Sequence, residues 1–194
     1  MAHGVCPWWL GYGLLVPFRR LLENPVRLLG PWVKEGMLVV EPGCGMGFFT
    51  LDLANMVGPS GRVVAVDVQE RMLAGLRRRA ARAGLAGQVE TRLADPKGLG
   101  LGDLNGQVDL ALAIHMIHEV PDARALFSDL AAALKPGAPL LVIEPKGHVS
   151  EAAFGASLQA AASAGFELSA QTVAGKPRSA VLRRPARYPN RPRT

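Results

Sequence analysis

Residues 38–50 read LVVEPGCGMGFFT: an apolar run, an acid, three glycines at every second position, then a helix-like stretch. That order describes a strand, a tight turn and a helix N-terminus wrapped around a ligand. Gly43, Gly45 and Gly47 lack a Cβ, so the backbone can turn sharply and lie directly against a cofactor. Glu41 closes the strand and places a carboxylate where a dinucleotide pyrophosphate would be repelled. The dinucleotide fingerprint also requires glycine where Phe48 stands, and a P-loop requires Gly-Lys-Ser/Thr; neither is present. The pattern suits a cofactor that carries an amino group and no phosphates. From the loop alone, a purely structural turn remains the alternative.

The next residues add to this. Arg62–Asp67, RVVAVD, is a second apolar strand ending in an acid, placed where a carboxylate accepts hydrogen bonds from ribose hydroxyls in nucleotide-binding α/β folds. A third candidate strand, Val89–Ala94, closes on Asp95, positioned to accept from an adenine amino group. A fourth, Val108–Ile114, runs into His115-Met116-Ile117-His118-Glu119, and a fifth, Leu140–Glu144, follows the turn Lys135-Pro136-Gly137. Acids at the carboxyl ends of three successive strands point to one ligand edge, since open parallel sheets bind there.

With these motifs in place, the sequence resembles the small, single-domain class I methyltransferases that use S-adenosylmethionine. The resemblance runs from about residue 30 to 184 and rests on EPGCGMGFFT, VVAVDVQERML, VDLALAIHMIHEV and LKPGAPLLVIEP. It implies a Rossmann-like α/β fold: a mostly parallel seven-stranded sheet, helices on both faces, and a C-terminal hairpin whose last strand is inserted antiparallel. It also implies roles. Glu41, Gly43 and Gly45 would hold the methionine portion, Asp67 the ribose and Asp95 the adenine, with Cys44, Val68 and Ile114 completing the cofactor site. The chain departs from the family in having Glu41 where many members have aspartate. The Asp95-Pro96 pair is a second departure and bears on the adenine contact.

Strands are expected at 37–41, 62–67, 88–94, 108–114 and 139–144, with helices at 18–30, 48–57, 70–84, 122–135 and 150–164. Residues 166–173 and 179–184, joined by Ala174-Gly175-Lys176-Pro177, read as an antiparallel hairpin. Such alternation gives a parallel sheet sandwiched by helices, with no internal repeat and no second domain. The expected organisation is an N-terminal lid segment and helix at 1–35, a methyltransferase domain at 36–184 and a disordered basic tail at 185–194.

Length and composition fit one globular domain: 194 residues, 49% hydrophobic and 20% charged. The net charge of +6 invites a nucleic-acid reading, but five arginines lie in RRPARYPNRPRT at 183–194, which leaves +1 for the remainder. Contact with nucleic acid is therefore expected to be nonspecific and confined to that tail. Two cysteines, Cys6 and Cys44, fit a reducing cytoplasm. The apolar stretch 5–18 is too short for a membrane span and has no preceding positive region.

Methyl transfer from a sulfonium needs an in-line nucleophile about 3 Å from the methyl, exclusion of water and, for some acceptors, a proton acceptor. His115 and His118 lie past strand four, where such a base belongs; His115 could equally line the cofactor pocket and His118 cap the next helix. Glu119 suits orienting a neighbouring histidine or complementing a helix N-terminus. Lys146 and His148, past strand five, suit substrate contact or plain loop polarity. Cys6, in Cys-Pro-Trp-Trp, is a third catalytic candidate, within an aromatic segment that would cover the cofactor or pin itself to the core. No Cys-x-x-Cys is present and no dedicated metal site is expected.

The function expected is methyl transfer to a small-molecule acceptor at oxygen, nitrogen, sulfur or activated carbon. Two other readings stand beside it: cysteine-assisted methylation of a thiophilic metalloid, and a non-catalytic cofactor-binding protein whose tail touches RNA.

Overall fold

The computed structural model describes residues 23–95, 98–170 and 172–186. Cys6 and residues 1–22 of the expected lid, with 187–194 of the tail, lie outside them. In chain order the elements are α1 Pro25–Leu29, β1 Leu38–Pro42, α2 Thr50–Val57, β2 Arg62–Asp67, α3 Glu70–Arg82 and β3 Val89–Leu93. They continue with β4 Leu110–Ile114, α4 Ala123–Ala133, β5 Pro139–Ile143, α5 Glu151–Ser163, β6 Glu167–Ala170 and β7 Ser179–Arg183. Short 3₁₀ turns at Gly102–Leu104 and Ile117–Glu119 precede β4 and α4.

The seven strands form one sheet in the order β3-β2-β1-β4-β5-β7-β6. β1 to β5 pair in parallel, and β7 runs antiparallel between β5 and β6. The expected Rossmann-like arrangement, with its inserted final strand, is the one observed. Central strands have no polar interruption because both of their faces are covered. In β4, LALAI is buried throughout. Alternate residues serve opposite layers: Leu110, Leu112 and Ile114 pack with Leu29, Phe49 and Leu53, whereas Ala111 and Ala113 pack with Phe127, Leu130 and Phe154. β3, at the sheet edge, is only partly buried and carries Glu90 and Arg92, an ion pair that also engages Asp103.

Three of the five described helices, α1, α4 and α5, start where a side chain satisfies an exposed N–H group. Asn24 accepts from the Arg27 amide ahead of α1, with Pro25 in the first turn; Asp122 accepts from Ala125 and Ser150 from Ala153. Element ends lie within two residues of expectation, with two exceptions. The helix expected at 18–30 has its described part at Pro25–Leu29, and β6 stops at Ala170 rather than 173. Beyond β6 the Ser179 hydroxyl accepts the Val173 amide and donates to the Lys176 carbonyl, which turns the chain into the hairpin. Parallel pairing puts the carboxyl ends of β1, β2, β3 and β4 along one edge, and the strand order reverses between β1 and β4, where a ligand crevice opens.

Candidate active site

A cavity of about 600 Å³ opens at that edge. Its walls include Pro42 and Gly43 after β1, Asp67 and Val68 after β2, Asp95 after β3, and His115, Met116 and Glu119 after β4. An adjoining hollow of about 480 Å³ shares Asp95, Gly98 and Asp129. The larger one is the chemically relevant cavity, because the glycine turn and the β2 acid meet there.

Close contacts explain Gly43 and Gly47, and a left-handed backbone explains all three glycines of the turn. Gly43 has φ +68°, and a Cβ there would stand 2.7 Å from Met116 Cβ, so only glycine lets the first turn close against the one after β4. Gly47, at φ +81°, would drive a Cβ to 2.4 Å from Leu76 Cδ1. Gly45 adopts φ +53° with no atom within 4 Å of where a Cβ would stand, and its amide donates to Asp67 Oδ2 at 2.9 Å. The Gln69 amide donates to Asp67 Oδ1 at 2.9 Å. Each carboxylate oxygen has a second lone pair, so Asp67 has the capacity to accept two hydroxyls as well. Burial pushes its carboxyl above the usual range, the two backbone amides oppose that, and Glu119 facing it adds to the rise.

Glu41 is placed differently from its expected role. It is buried beneath the turn, accepts the Thr50 hydroxyl at 2.6 Å, and does not line the cavity. Burial raises its carboxyl to about 8, against the Thr50 hydrogen bond and with help from Asp67. Cys44 is likewise behind the wall, packed with Ala65, Leu73 and Leu76, and burial holds its thiol well above the ordinary value. A protonated, inaccessible thiol is a poor ligand for a metalloid. Among the described residues no group of three His, Cys, Asp or Glu side chains is placed to hold a metal ion. Ile114 is buried at the end of β4, adjacent to the lining rather than in it.

The two histidines separate. His115 stands in the cavity wall with φ 57°, a conformation rare for any residue with a side chain. His118 is turned away: its Nδ1 lies 2.5 Å from Glu144 Oε2 and its Nε2 4.0 Å from Glu119 Oε1. It does not cap α4, because Asp122 does. His148 lies alongside, with ring centroids 6.4 Å apart.

Glu144 is the functional-edge residue that motif reading left without a role. Buried at the end of β5, it accepts the amides of Met116 at 3.0 Å, Ile117 at 3.1 Å and His118 at 3.3 Å, which fixes the whole turn after β4. Its signal was present in the sequence: an acid closing an apolar strand, as Glu41 and Asp67 do.

The lining holds Asp67, Asp95, Glu119, Asp122 and Asp129 and, among the described residues, neither Lys nor Arg. Such a cavity repels phosphates and accepts hydroxyl, amino and cationic groups. Val68, Leu99, Val120 and Leu126 supply apolar wall suited to a purine. These residues fit S-adenosylmethionine: Gly43 leaves room for close backbone approach, and Asp67 has free acceptor capacity of the kind a ribose needs.

Comparison with known proteins agrees. Residues 39–137 match the model of the methyltransferase domain family. The ubiquinone/menaquinone biosynthesis C-methyltransferase UbiE of Pasteurella multocida (strain Pm70) is 30% identical over 112 residues, 58% of this chain and 41% of that protein. The demethylmenaquinone methyltransferase of Lactococcus lactis subsp. lactis (strain IL1403) is 29% identical over 111 residues, covering 56% and 42%. The chain therefore spans less than half the length of these curated relatives. Among solved structures, a SAM-dependent methyltransferase from Aquifex aeolicus superposes with TM-score 0.79 at 24% identity, over 92% of this chain and 97% of that one. A geranyl diphosphate C-methyltransferase from Streptomyces coelicolor A3(2) has TM-score 0.63 at 18% identity, over 79% and 63%.

Proposed function

Because this chain belongs to the methyltransferase domain family, whose class I members use S-adenosylmethionine, we propose that it is an active enzyme moving a methyl group to a small-molecule acceptor. The observation that carries the reading is the phosphate-excluding cavity at the β1/β4 reversal, with Asp67 held by the Gly45 and Gln69 amides and His115 in its wall. Bound there, the cofactor supplies an electrophilic methyl on a sulfonium.

The chain's own residues would do the rest. Asp67 anchors the ribose, Asp95 meets the adenine, and Gly43 permits close approach. His115 serves as proton acceptor for the acceptor molecule. Its place in the wall favours it over His118, whose ring is committed to Glu144. An activated carbon is the acceptor favoured among oxygen, nitrogen, sulfur and carbon, because the Pasteurella relative is named a C-methyltransferase of ubiquinone/menaquinone biosynthesis and the Lactococcus relative a demethylmenaquinone methyltransferase. Such a carbon must shed a proton, which gives a base something to do. The domain 36–184 would perform the chemistry. A cytoplasmic setting suits this chemistry; among the described residues no helix is long and apolar enough to cross a membrane.

The test is calorimetric titration of the full chain with S-adenosylmethionine, S-adenosylhomocysteine and NAD, followed by turnover with a demethylated naphthohydroquinone. Micromolar binding of the first two and none of NAD is expected, with S-adenosylhomocysteine accumulating in turnover. No binding of either sulfur compound would sink the reading. Binding without turnover would move the acceptor to another class.

A further inference from the structure

Three segments far apart in sequence meet beside the cavity. Glu23, just ahead of α1, is buried, and its Oε1 lies 2.5 Å from Lys176 Nζ in the hairpin between β6 and β7, 153 residues away. The same oxygen faces His115 Nε2 at 3.6 Å. His115 is itself held by its amide, which donates to the Ile143 carbonyl at 2.7 Å, and by its left-handed backbone. A non-glycine residue in that conformation costs on the order of 1–3 kcal/mol and persists only where its surroundings over-determine it.

A half-buried ion pair adds little to stability, because the desolvation of Glu23 offsets much of the attraction to a Lys176 that keeps part of its water. What such a pair does provide is fixed geometry. Here it fixes a carboxylate against the imidazole that stands in the cavity wall. From this arrangement we propose that Glu23 is a positioning residue for His115 and that Lys176 holds Glu23 in place for that task. The proposal rests on His115 being the proton acceptor of the function proposed above.

Lys176 holds Glu23 aimed at the ring. The carboxylate favours the His115 tautomer that carries its hydrogen on Nε2, which leaves the Nδ1 lone pair to take a proton. During transfer the acceptor carbon forms its bond to the methyl as the sulfur–carbon bond breaks, its electron pair staying on sulfur. The proton displaced from the acceptor then passes to Nδ1, and the resulting imidazolium is stabilised by the negative carboxylate across from it. The other acids that line the cavity with His115 are Asp67 at the end of β2, Asp95 after β3, Glu119 in the turn after β4, Asp122 capping α4 and Asp129 on it. Glu144, after β5, holds the adjacent turn. Glu23 approaches from behind the wall, within ion-pairing distance of the ring.

The decisive experiment is nitrogen-15 NMR titration of the histidine side chains in the full chain with S-adenosylhomocysteine, in the native protein, Glu23→Gln and Lys176→Met. In the native protein the neutral His115 ring should be mostly the Nε2–H tautomer. Glu23→Gln should abolish that preference and move the His115 midpoint down by about one pH unit; Lys176→Met should move both in the same direction by less. An unchanged tautomer and midpoint in Glu23→Gln, with the fold intact by circular dichroism, overturns the proposal.

Turnover with the naphthohydroquinone gives the second readout. Glu23→Gln should lower kcat tenfold or more, leave the cofactor KM within about twofold, and shift the acidic limb of the pH profile downward, with partial recovery in Glu23→Asp. Loss of cofactor affinity and thermal stability with an unmoved limb would make Glu23 merely structural and overturn it. If the native chain binds no S-adenosylhomocysteine, the enzymatic reading fails by itself. The same titration on the apo protein would then still report whether Glu23 governs the His115 ring.

Discussion

The two sides of the cavity are built on different principles. On the β1–β3 side the parts lie close in sequence: the Gly45 amide reaches Asp67 across 22 residues, and Asp67 reaches Gln69 across two. On the β4–β5 side Glu144 holds Met116, Ile117 and His118 from a similar 26 to 28 residues away, but Lys176 holds Glu23 from 153 away. The first side is a binding surface fixed by turn geometry. The second is a polar framework fixed by buried carboxylates, and it sets where the histidines stand. The difference teaches that Asp67 is held by amides from its own strand's end and the neighbouring turn, whereas His115 meets groups that only the completed fold brings together.

Removing Glu144 should break the second side most severely. Glu144→Ala strips three amides and the His118 ring of their shared acceptor, and a buried network that loses its charged hub forfeits about 3–5 kcal/mol. Chemical denaturation reads this directly; a loss below about 1 kcal/mol would mean that water replaces the carboxylate without difficulty. Asp67→Ala tests the first side. It should leave the fold and weaken S-adenosylmethionine binding by about a hundredfold, close to ~2.7 kcal/mol, because the ribose loses a charged acceptor. Normal affinity in that variant would put the cofactor elsewhere. Gly43→Ala comes next, at about 1–3 kcal/mol of stability, since φ +68° is strained for alanine and its Cβ would meet Met116 Cβ at 2.7 Å. A neutral result would show that the turn after β4 yields easily, and the contrast between the sides would weaken.

The same contrast explains what the sequence could tell. The sheet was legible because LALAI, PLLVI and RVVAVD are continuous apolar runs that only a twice-covered parallel strand tolerates. The glycine turn and Asp67 were legible because spacing alone sets their geometry. Glu144 was half legible: its position at a strand end was visible, yet nothing in one strand says that its carboxylate will collect three amides from the next loop. Glu23 was not legible at all. The helix expected at 18–30 contains Glu23 and gives it no role, and only the hairpin carrying Lys176 shows what it meets. Glu41 lies toward the end of its strand, as its motif implies, but its surroundings were hidden. Burial beneath the turn depends on packing around Thr50 rather than on the strand that carries the acid.

Glu41 offers the cleanest separation of the two sides, through pH. Its native carboxyl sits at about 8, against an ordinary 4.5 in the unfolded chain, with burial the main cause. Below pH 4.5 both states keep the proton and the group costs nothing. Between 4.5 and 8 the unfolded chain gives up a proton that the native protein retains, so stability falls as pH rises, by at most about 1.4 kcal/mol per unit. Above 8 both states are ionised and the slope vanishes. Glu41→Gln keeps a hydrogen-bonding partner for the Thr50 hydroxyl and cannot ionise. Denaturation midpoints of this variant should therefore decline less between about pH 5 and 8 than those of the native protein, with the two closest at about pH 5. Equal declines would mean that Glu41 is ionised in the native state at neutral pH, as an acid reaching the cavity would be, and the first side would then owe its charge to Glu41 as well as to Asp67.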